Sequence, residues 1–481
     1  MQVRVNLRLL LAVAAAFVGP SVAHAQTDTG SIERTIPKGE AAPDQPRPKV
    51  STPSAPTEGG ARVSGNFVLS AVNIEGATVF GPEELAKSFE PYLASSVGQA
   101  ELDKIAADIT DRYRRAGYLL SYAVVPEQSV RSGIVRIRVI EGFIGKVRIA
   151  GDSRSAAAVR ELGERLGAER PLRKASLERT LGLIRDIPGI VLSDTRISRN
   201  PRNPASHELT LTLRSDRIRA LAYTDNRGTI GGARLRGYSS FNLTSLAIPG
   251  DQLQVDLFSI PSDDFRFFYG QLKASVPLGS DGLRATVSAS RGDQFQRLSG
   301  PNQHGKSRQL TAELAYPFRE SRALTTAGHL SLGDWRSEEE RTDTIVQRDR
   351  YQVARGWLEF SHLSKTRIDG RIGISRGLDL GSATKAGDPR ASRPHAGSDF
   401  TKLNANLRVV TPLADRLTLR IDTSAQYALK PLLAPEEFAL GGSRIGRAFD
   451  FNEVTGDHGI GGVLELGYRL GNSKRGPKSI E

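Results

Sequence analysis

From about Arg217 onward the chain alternates between apolar and polar positions. Leu253, Val255 and Leu257 enclose Gln254 and Asp256. Leu310, Ala312 and Leu314 enclose Thr311 and Glu313. Leu403, Ala405, Leu407 and Val409 enclose Asn404, Asn406 and Arg408, and Leu417, Leu419 and Ile421 enclose Thr418 and Arg420. A period of two marks strands with one apolar and one polar face. Turn residues divide them: Pro249-Gly250-Asp251, Gly279-Ser280-Asp281-Gly282 and the polar run Arg291 to Arg308. Near the end, a Gly441-Gly442 turn opens a loop carrying Arg447, Ala448, Phe449 and Asp450. A second turn, Gly456-Asp457-His458-Gly459, leads into the alternation of Leu464, Leu466, Tyr468 and Leu470. The segments sum to roughly twelve strands, with ends uncertain by a few residues.

Before Arg217 the periods differ. Residues 67 to 142 predict a β-α-α-β-β module. A strand runs to Gly76, and a short helix follows Pro82, a residue suited to a first helical turn. Leu102, Ile105, Ala106, Ile109 and Tyr113 recur at helical spacing until Gly117. Tyr118 to Val125 reads as a strand, and Val135, Ile137 and Val139 alternate with Arg136 and Arg138 in the last one. The order then repeats. Lys146 to Gly151 echoes Ala71 to Gly76, a helix with Leu177, Leu181 and Ile184 starts at a Ser176 cap, and two closing strands follow. Two copies of one unit in series form a scaffold.

The N-terminus predicts export. Arg4 and Arg8 precede an apolar stretch, Leu9 to Val18, and Ala23-His24-Ala25 offers a small-x-small cleavage site, giving a signal peptide over 1–25. Residues 26–65 are rich in Pro, Ser, Thr and Ala and read as a linker. No window beyond the signal is long and apolar enough for a spanning helix, so membrane insertion must use strands. There is no cysteine, which excludes disulfides and thiolate metal sites. The net charge is +13, but the arginines are dispersed along alternating segments and form no basic helix, so nucleic acid is not expected as a partner. One apolar and one strongly polar strand face, long polar loops and an export signal favour a membrane β-barrel with a wet lumen over a soluble sandwich. Residues 335–349 and 379–400 are the expected exterior loops.

The segment Gly117 to Gly142 resembles the first polypeptide-transport-associated (POTRA) domain of two-partner secretion transporters, the hemolysin secretion/activation (ShlB/FhaC/HecB) family. The matching residues are Gly117, Tyr118, Pro126, Gln128, Gly133, Glu141 and Gly142. The resemblance implies α+β POTRA modules at 66–142 and 143–214, then an all-β transmembrane barrel over 215–481. It places the modules in the periplasm and the barrel in the outer-membrane lipid. It also implies a secreted exoprotein, captured through its N-terminal secretion domain, as partner, with no cofactor and no metal. In that family a loop folds back into the lumen and carries an Arg-Gly-Tyr motif at its tip. Here the counterpart is Arg447-Ala448-Phe449, with Asp450, Gly456, Asp457 and Gly459 around it. Arg236-Gly237-Tyr238 matches by letters but falls on an early strand.

The family barrel has sixteen strands, and the strand after this loop carries a Phe-x-Asp-x-Gly motif. No such motif follows residue 470, so the barrel is expected to be incomplete at its C-terminus. The alternatives are a truncated, non-functional copy of such a transporter, an insertase and a barrel enzyme. An insertase of barrel proteins usually carries more than two modules. A barrel lipase or protease needs a nucleophile and a base, and the scattered histidines give no enzyme signature.

Overall fold

The structure, a computed structural model, describes residues 36, 50–51, 65–130, 132–151, 156–226, 235–298, 300–442, 445–447, 449 and 452–470. The signal, most of the linker, Ala448, Asp450 and residues 471–481 lie outside the described residues.

The strands and helices fall in three groups. β1 (Val50–Ser51) is a short parallel addition to the Ile190–Asn200 strand of the second module. The first module comprises β2 (Phe67–Val68), β3 (Ala71–Glu75), α1 (Pro82–Ala86), β4 (Ser96–Val97), α2 (Gln99–Arg115), β5 (Tyr122–Val124) and β6 (Ile134–Ile140). Its sheet runs β3-β6-β5, parallel then antiparallel. The second comprises β7 (Phe143–Gly151), α3 (Ala156–Arg165), α4 (Lys174–Arg185), β8 (Ile190–Asn200) and β9 (Asn203–Ser215). Its order β7-β9-β8 repeats the first sheet strand for strand.

α2 forms because its apolar side chains share one stripe. Leu102, Ile105, Ile109 and Tyr113 are buried beneath β6, whose Val135, Ile137 and Val139 face them. Each such side chain contributes about 1.5–3 kcal/mol. Glu101 turns back to accept the Gly98 N–H at 3.0 Å, and Gly117 ends the helix at φ +92°.

Three expectations for the modules need correction. The strand expected over Tyr118–Val125 is confined to Tyr122–Val124, because the Tyr118 N–H bonds back to the Tyr113 carbonyl and Ser121 closes a turn on Tyr118. Ser176 is not a cap: α4 begins two residues earlier, at Lys174. The second module also holds α3, whose short apolar face (Val159, Leu162) packs into the same core as α4.

The third group is a twelve-stranded antiparallel sheet. Its members are β10 (Ile218–Asp225), β11 (Arg236–Thr244), β12 (Gln252–Ile260), β13 (Phe265–Pro277), β14 (Arg284–Gln296), β15 (Gln303–Glu320), β16 (Leu324–Arg341), β17 (Thr344–Leu363), β18 (Arg367–Leu378), β19 (Thr401–Ala414), β20 (Leu417–Ala428) and β23 (Gly459–Tyr468). They follow one another in chain order, save that a small hairpin, β21 (Phe438–Leu440) and β22 (Val454–Gly456), intervenes before β23. The alternation read from the sequence sets the two faces. Leu310, Leu314, Leu330, Leu332, Leu358, Ile372, Leu464 and Leu466 are exposed on the outer face, while the intervening residues turn inward.

Two boundaries in this sheet also differ from expectation. Residues 335–349 are not a loop: β16 and β17 extend through them and turn at Thr342-Asp343, both at positive φ. Residues 291–308 likewise belong largely to β14 and β15. Charge misled in both places. A membrane-spanning strand needs only about nine to eleven residues, and the rest of an 18- or 20-residue strand can stand in water, where polar side chains keep the strand period. Residues 379–400 do form a loop, and Arg236 does sit on a strand, β11, paired with Asp225 at 2.6 Å.

The second module docks on the short turns at one end of the sheet. Arg185 meets Glu320 at 3.3 Å, Arg179 donates to the Pro317 and Phe318 carbonyls at 3.2 Å, and Arg165 pairs with Asp281 at 2.7 Å. A Cβ on Gly182 would lie 2.7 Å from the Glu320 Cβ, so glycine permits the approach. Glu320 is nearly buried, and removing its cation should cost about 1.5–3 kcal/mol of docking. Arg185→Ala is therefore expected to reduce disulfide trapping between Glu178→Cys and Arg322→Cys, whereas unchanged trapping would show that Arg185 does not hold the joint.

Candidate functional site

The seven residues of the module motif do not form one surface patch. They sit at joints. Glu141 follows β6, and its carboxylate gathers four donors: Thr78 N–H at 2.7 Å, Thr78 hydroxyl at 2.5 Å, Val79 N–H at 3.1 Å and Tyr113 hydroxyl at 2.7 Å. Burial opposes ionisation there, but these donors outweigh it and hold the carboxyl below its ordinary value. Burial, then the bond to Glu141, pushes the Tyr113 phenol well above its ordinary value. Gln128 extends the ladder where β5 ends: its amide donates to the Arg136 carbonyl at 2.8 Å and accepts the Arg136 N–H at 2.7 Å. Pro126 sets up that turn, its carbonyl 3.3 Å from the same amide. Gly133, at φ +70°, lets β6 start against Val68 and Ser70, where a Cβ would collide with both.

The remaining motif residues join the two modules. Gly117 accepts the Lys174 N–H at 2.8 Å, and Gly142 accepts the Leu172 N–H at 2.9 Å, just ahead of α4. A Cβ on Gly142 would lie 2.5 Å from Leu120, whose side chain belongs to the second module's core. Tyr118 packs edge-on to Tyr113, with centroids 6.0 Å apart.

At the other end of the sheet the hairpin descends on the lumen side. Its base is a buried charge cluster. Glu436, 4% exposed, accepts from Arg355 of β17 at 2.5 and 3.2 Å and from the Tyr351 hydroxyl at 2.9 Å, and pairs with Lys402 of β19 at 2.7 Å. Lys402 and Gln426 also donate to the Glu436 carbonyl, at 2.7 and 3.0 Å. Burial opposes the charge on Glu436, but Arg355 and Lys402 outweigh it and keep the carboxyl far below its ordinary value. Leu432, Leu433, Trp335, Tyr351 and Phe400 form an apolar floor around this cluster. The 379–400 loop closes it: Arg393 pairs with Glu437 at 3.2 Å and with Asp457, and donates to the Leu432 carbonyl at 2.7 Å.

Asp457 thus anchors the hairpin's return, also accepting the Leu432 N–H at 2.8 Å. Gly456 pairs with Phe438 in the β21–β22 ladder, and Gly459 starts β23 where the Phe438 ring leaves no space for a Cβ. Arg447 stands at the tip, pairing with Glu465 of β23 at 2.6 Å, and Phe449 beside it is exposed. Glu465 alternates with the outward Leu464 and Leu466, so it faces the lumen. Sequence reasoning proposed Arg447 and missed its partner, as it missed Glu436, Arg355 and Lys402. The buried Glu436-Glu437 pair directly after Pro435 was the available signal, since a carboxylate is rarely placed beside apolar residues without a cation to meet it.

A POTRA domain model of ShlB type matches residues 67–142, and the model for haemolysin secretion/activation protein ShlB/FhaC/HecB matches residues 209–477. The chain belongs to that family. It is similar to the heme/hemopexin transporter protein HuxB of Haemophilus influenzae, at 25% identity across 87% of this chain and 75% of the relative. The outer membrane transporter CdiB of Escherichia coli is 23% identical across 86% of this chain and 70% of the relative. Among solved structures, CdiB from Escherichia coli superposes with a TM-score of 0.68 at 19% identity, covering 88% of this chain and 78% of that one. CdiB from Acinetobacter baumannii gives 0.60 at 17% identity, covering 89% and 82%. The fold is therefore POTRA modules followed by a barrel sheet of the outer-membrane transporter type. The protein is a two-partner secretion transporter of the outer membrane, its modules on the periplasmic side. The turns on which the second module docks are thus periplasmic, and the lumen hairpin enters from the exterior.

Two outcomes follow. Because folding lowers the Glu141 pKa, its stabilisation is complete above the unfolded value near 4.5 and is lost as pH falls through the folded value. Glu141→Gln should flatten this acid limb in urea titrations of the module segment, and an unchanged limb would assign acid sensitivity elsewhere. Glu436→Ala should leave the buried Lys402 and the part-exposed Arg355 without their counter-ion, a loss of at most about 3–5 kcal/mol. Limited proteolysis between 430 and 457 is expected to accelerate while the barrel strands stay protected; equal digestion rates would refute the anchor.

Proposed function

We propose that the protein exports one large exoprotein of the adhesin or hemolysin type. A leader over 1–25 directs export and a linker over 26–65 precedes the modules at 66–142 and 143–214. The modules capture the partner's N-terminal secretion domain by adding its strand to an outer strand of a module sheet and by apolar contacts. The unfolded partner then threads the barrel formed from residue 215 onward, and its folding outside supplies direction. The cycle uses no cofactor, metal or nucleic acid, and outer-membrane lipid surrounds the sheet.

The observation that carries this reading is the unequal anchoring of the lumen hairpin. Its base is held through buried charges whose one-sided loss costs at most about 3–5 kcal/mol. Its tip is held through Arg447, 59% exposed, and Glu465. A solvent-exposed ion pair contributes about 0–1 kcal/mol. A hairpin fixed at its base, with an exposed arginine in the ion pair at its tip, can clear the lumen without leaving the protein. Arg447 suits that position because a planar guanidinium meets a carboxylate through two donors.

Arg447→Ala is expected to leave the barrel inserted and to reduce secretion of the partner, with Lys restoring it in part. Normal secretion by the Ala variant would remove Arg447 from the mechanism.

A further inference from the structure

Four arginines stand in one row across four adjacent strands. Arg291 of β14 is directly opposite Arg308 of β15, Arg308 opposite Arg336 of β16, and Arg336 opposite Arg350 of β17. Each shares its strand face with exposed apolar residues two or more positions further in: Val287, Leu310, Leu332 and Leu358. The row therefore lies on the outer face, on the barrel's exterior rather than in its lumen. It lies toward the ends of these strands that are remote from the docked module, hence on the extracellular side. At about 3.3 Å per residue, Arg308 sits about 7 Å along the strand from Leu310, beyond the apolar belt and level with lipid headgroups.

Like charges directly opposite one another destabilise a sheet, so a row of four needs counter-charge. The protein supplies part of it. Asp293 pairs with Arg291 at 2.9 Å, Asp334 with Arg336 at 3.0 Å and Glu338 with Arg350 at 3.1 Å. Glu338 is shared with Arg348 at 3.0 Å. Arg308 has no carboxylate partner among the described residues, and the Arg350 Nε is buried without a hydrogen bond. The row, about 14 Å long at the usual strand spacing, thus keeps the guanidinium of Arg308, which has no carboxylate to meet among the described residues, facing the bilayer surface.

We propose that this row binds the phosphates of a lipid headgroup in the outer leaflet. Guanidinium forks take phosphate oxygens through paired, charge-assisted bonds. Near the membrane interface an exposed arginine costs little against the lipid, so the row is tolerated before any ligand binds. The carboxylates between the arginines keep them apart and leave room for separate phosphates, which favours a headgroup with more than one.

The test is lipid binding to the detergent-solubilised full chain, followed by native mass spectrometry. The probes are the phosphorylated glycolipid of the bacterial outer leaflet, the same glycolipid dephosphorylated, and inorganic phosphate. The chain should prefer the phosphorylated glycolipid over both others. Each surface arginine contributes about fivefold, so Arg308→Gln should weaken binding about fivefold and Arg308→Gln with Arg336→Gln about twenty-five-fold. Arg308→Lys should retain part of the binding, and Arg196→Gln, in the periplasmic module, should match the wild type. Equal binding of the dephosphorylated glycolipid, or wild-type binding by the double variant, would overturn the proposal. Equal occupancy by inorganic phosphate would make it a free-anion site. A loss of secretion with lipid binding intact would instead assign the row to the emerging partner polypeptide, and would equally overturn it.

Discussion

The lumen side of the barrel depends on one buried carboxylate. Taking Glu436 out of water costs several kcal/mol unless cations and donors meet it. Arg355, Tyr351 and Lys402 come from two different strands, so they can meet it only where β17, β19 and the 429–437 segment converge. The apolar floor of Leu432, Leu433 and Phe400 would hold that segment against the wall in many registers, because apolar attraction has no direction. The charges choose one. Once Glu436 is placed, Glu437 and Asp457 fall within reach of Arg393, and the 379–400 loop is drawn over the base.

The module motif does comparable work at the periplasmic end. Gly117 and Gly142 each give a carbonyl to the chain leading into α4, and Leu120 inserts into the second core. α4 in turn rests on the periplasmic turns through Arg179 and Arg185. Gly117 and Gly142 are therefore set by how close two modules must come, Glu141 by the Thr78 and Val79 donors beyond β3, and Gln128 by the Arg136 N–H of β6. None of these residues needs to touch a partner for substitution at its position to be costly.

How far the sequence could be read depended on which interactions are local. The period of two in Leu310-Ala312-Leu314 and the helical spacing of Leu102 to Tyr113 come from burial on one face, and the fold class followed from them. α3 was missed because Val159 and Leu162 mark barely one turn of apolar face before the helix ends. The extension of β16 past Trp335 was missed because Arg336, Glu338 and Glu340 were read by polarity, although Trp335, Ser337 and Glu339 between them are buried. Arg447 was visible through a motif. Glu465, eighteen positions on, was not, because the pairing depends on how far the hairpin descends. Glu436 stood in the right stretch with no role, since its cations lie on strands far away in sequence.

Parity along the strands also resolves what composition could not. A charge of +13 spread over alternating segments seemed uninformative. The register sorts it: Arg355 and Lys402 turn inward to a buried carboxylate, while Arg308 and Arg336 turn outward beside leucines. A one-residue slip would exchange these faces, sending cations into lipid and leucines into the wet lumen. The inward and outward arginines therefore stabilise the same register by opposite means. One set has a carboxylate to meet and the other has water at the strand ends, and a slip would cost the cations their partners or solvation and the leucines their apolar surroundings.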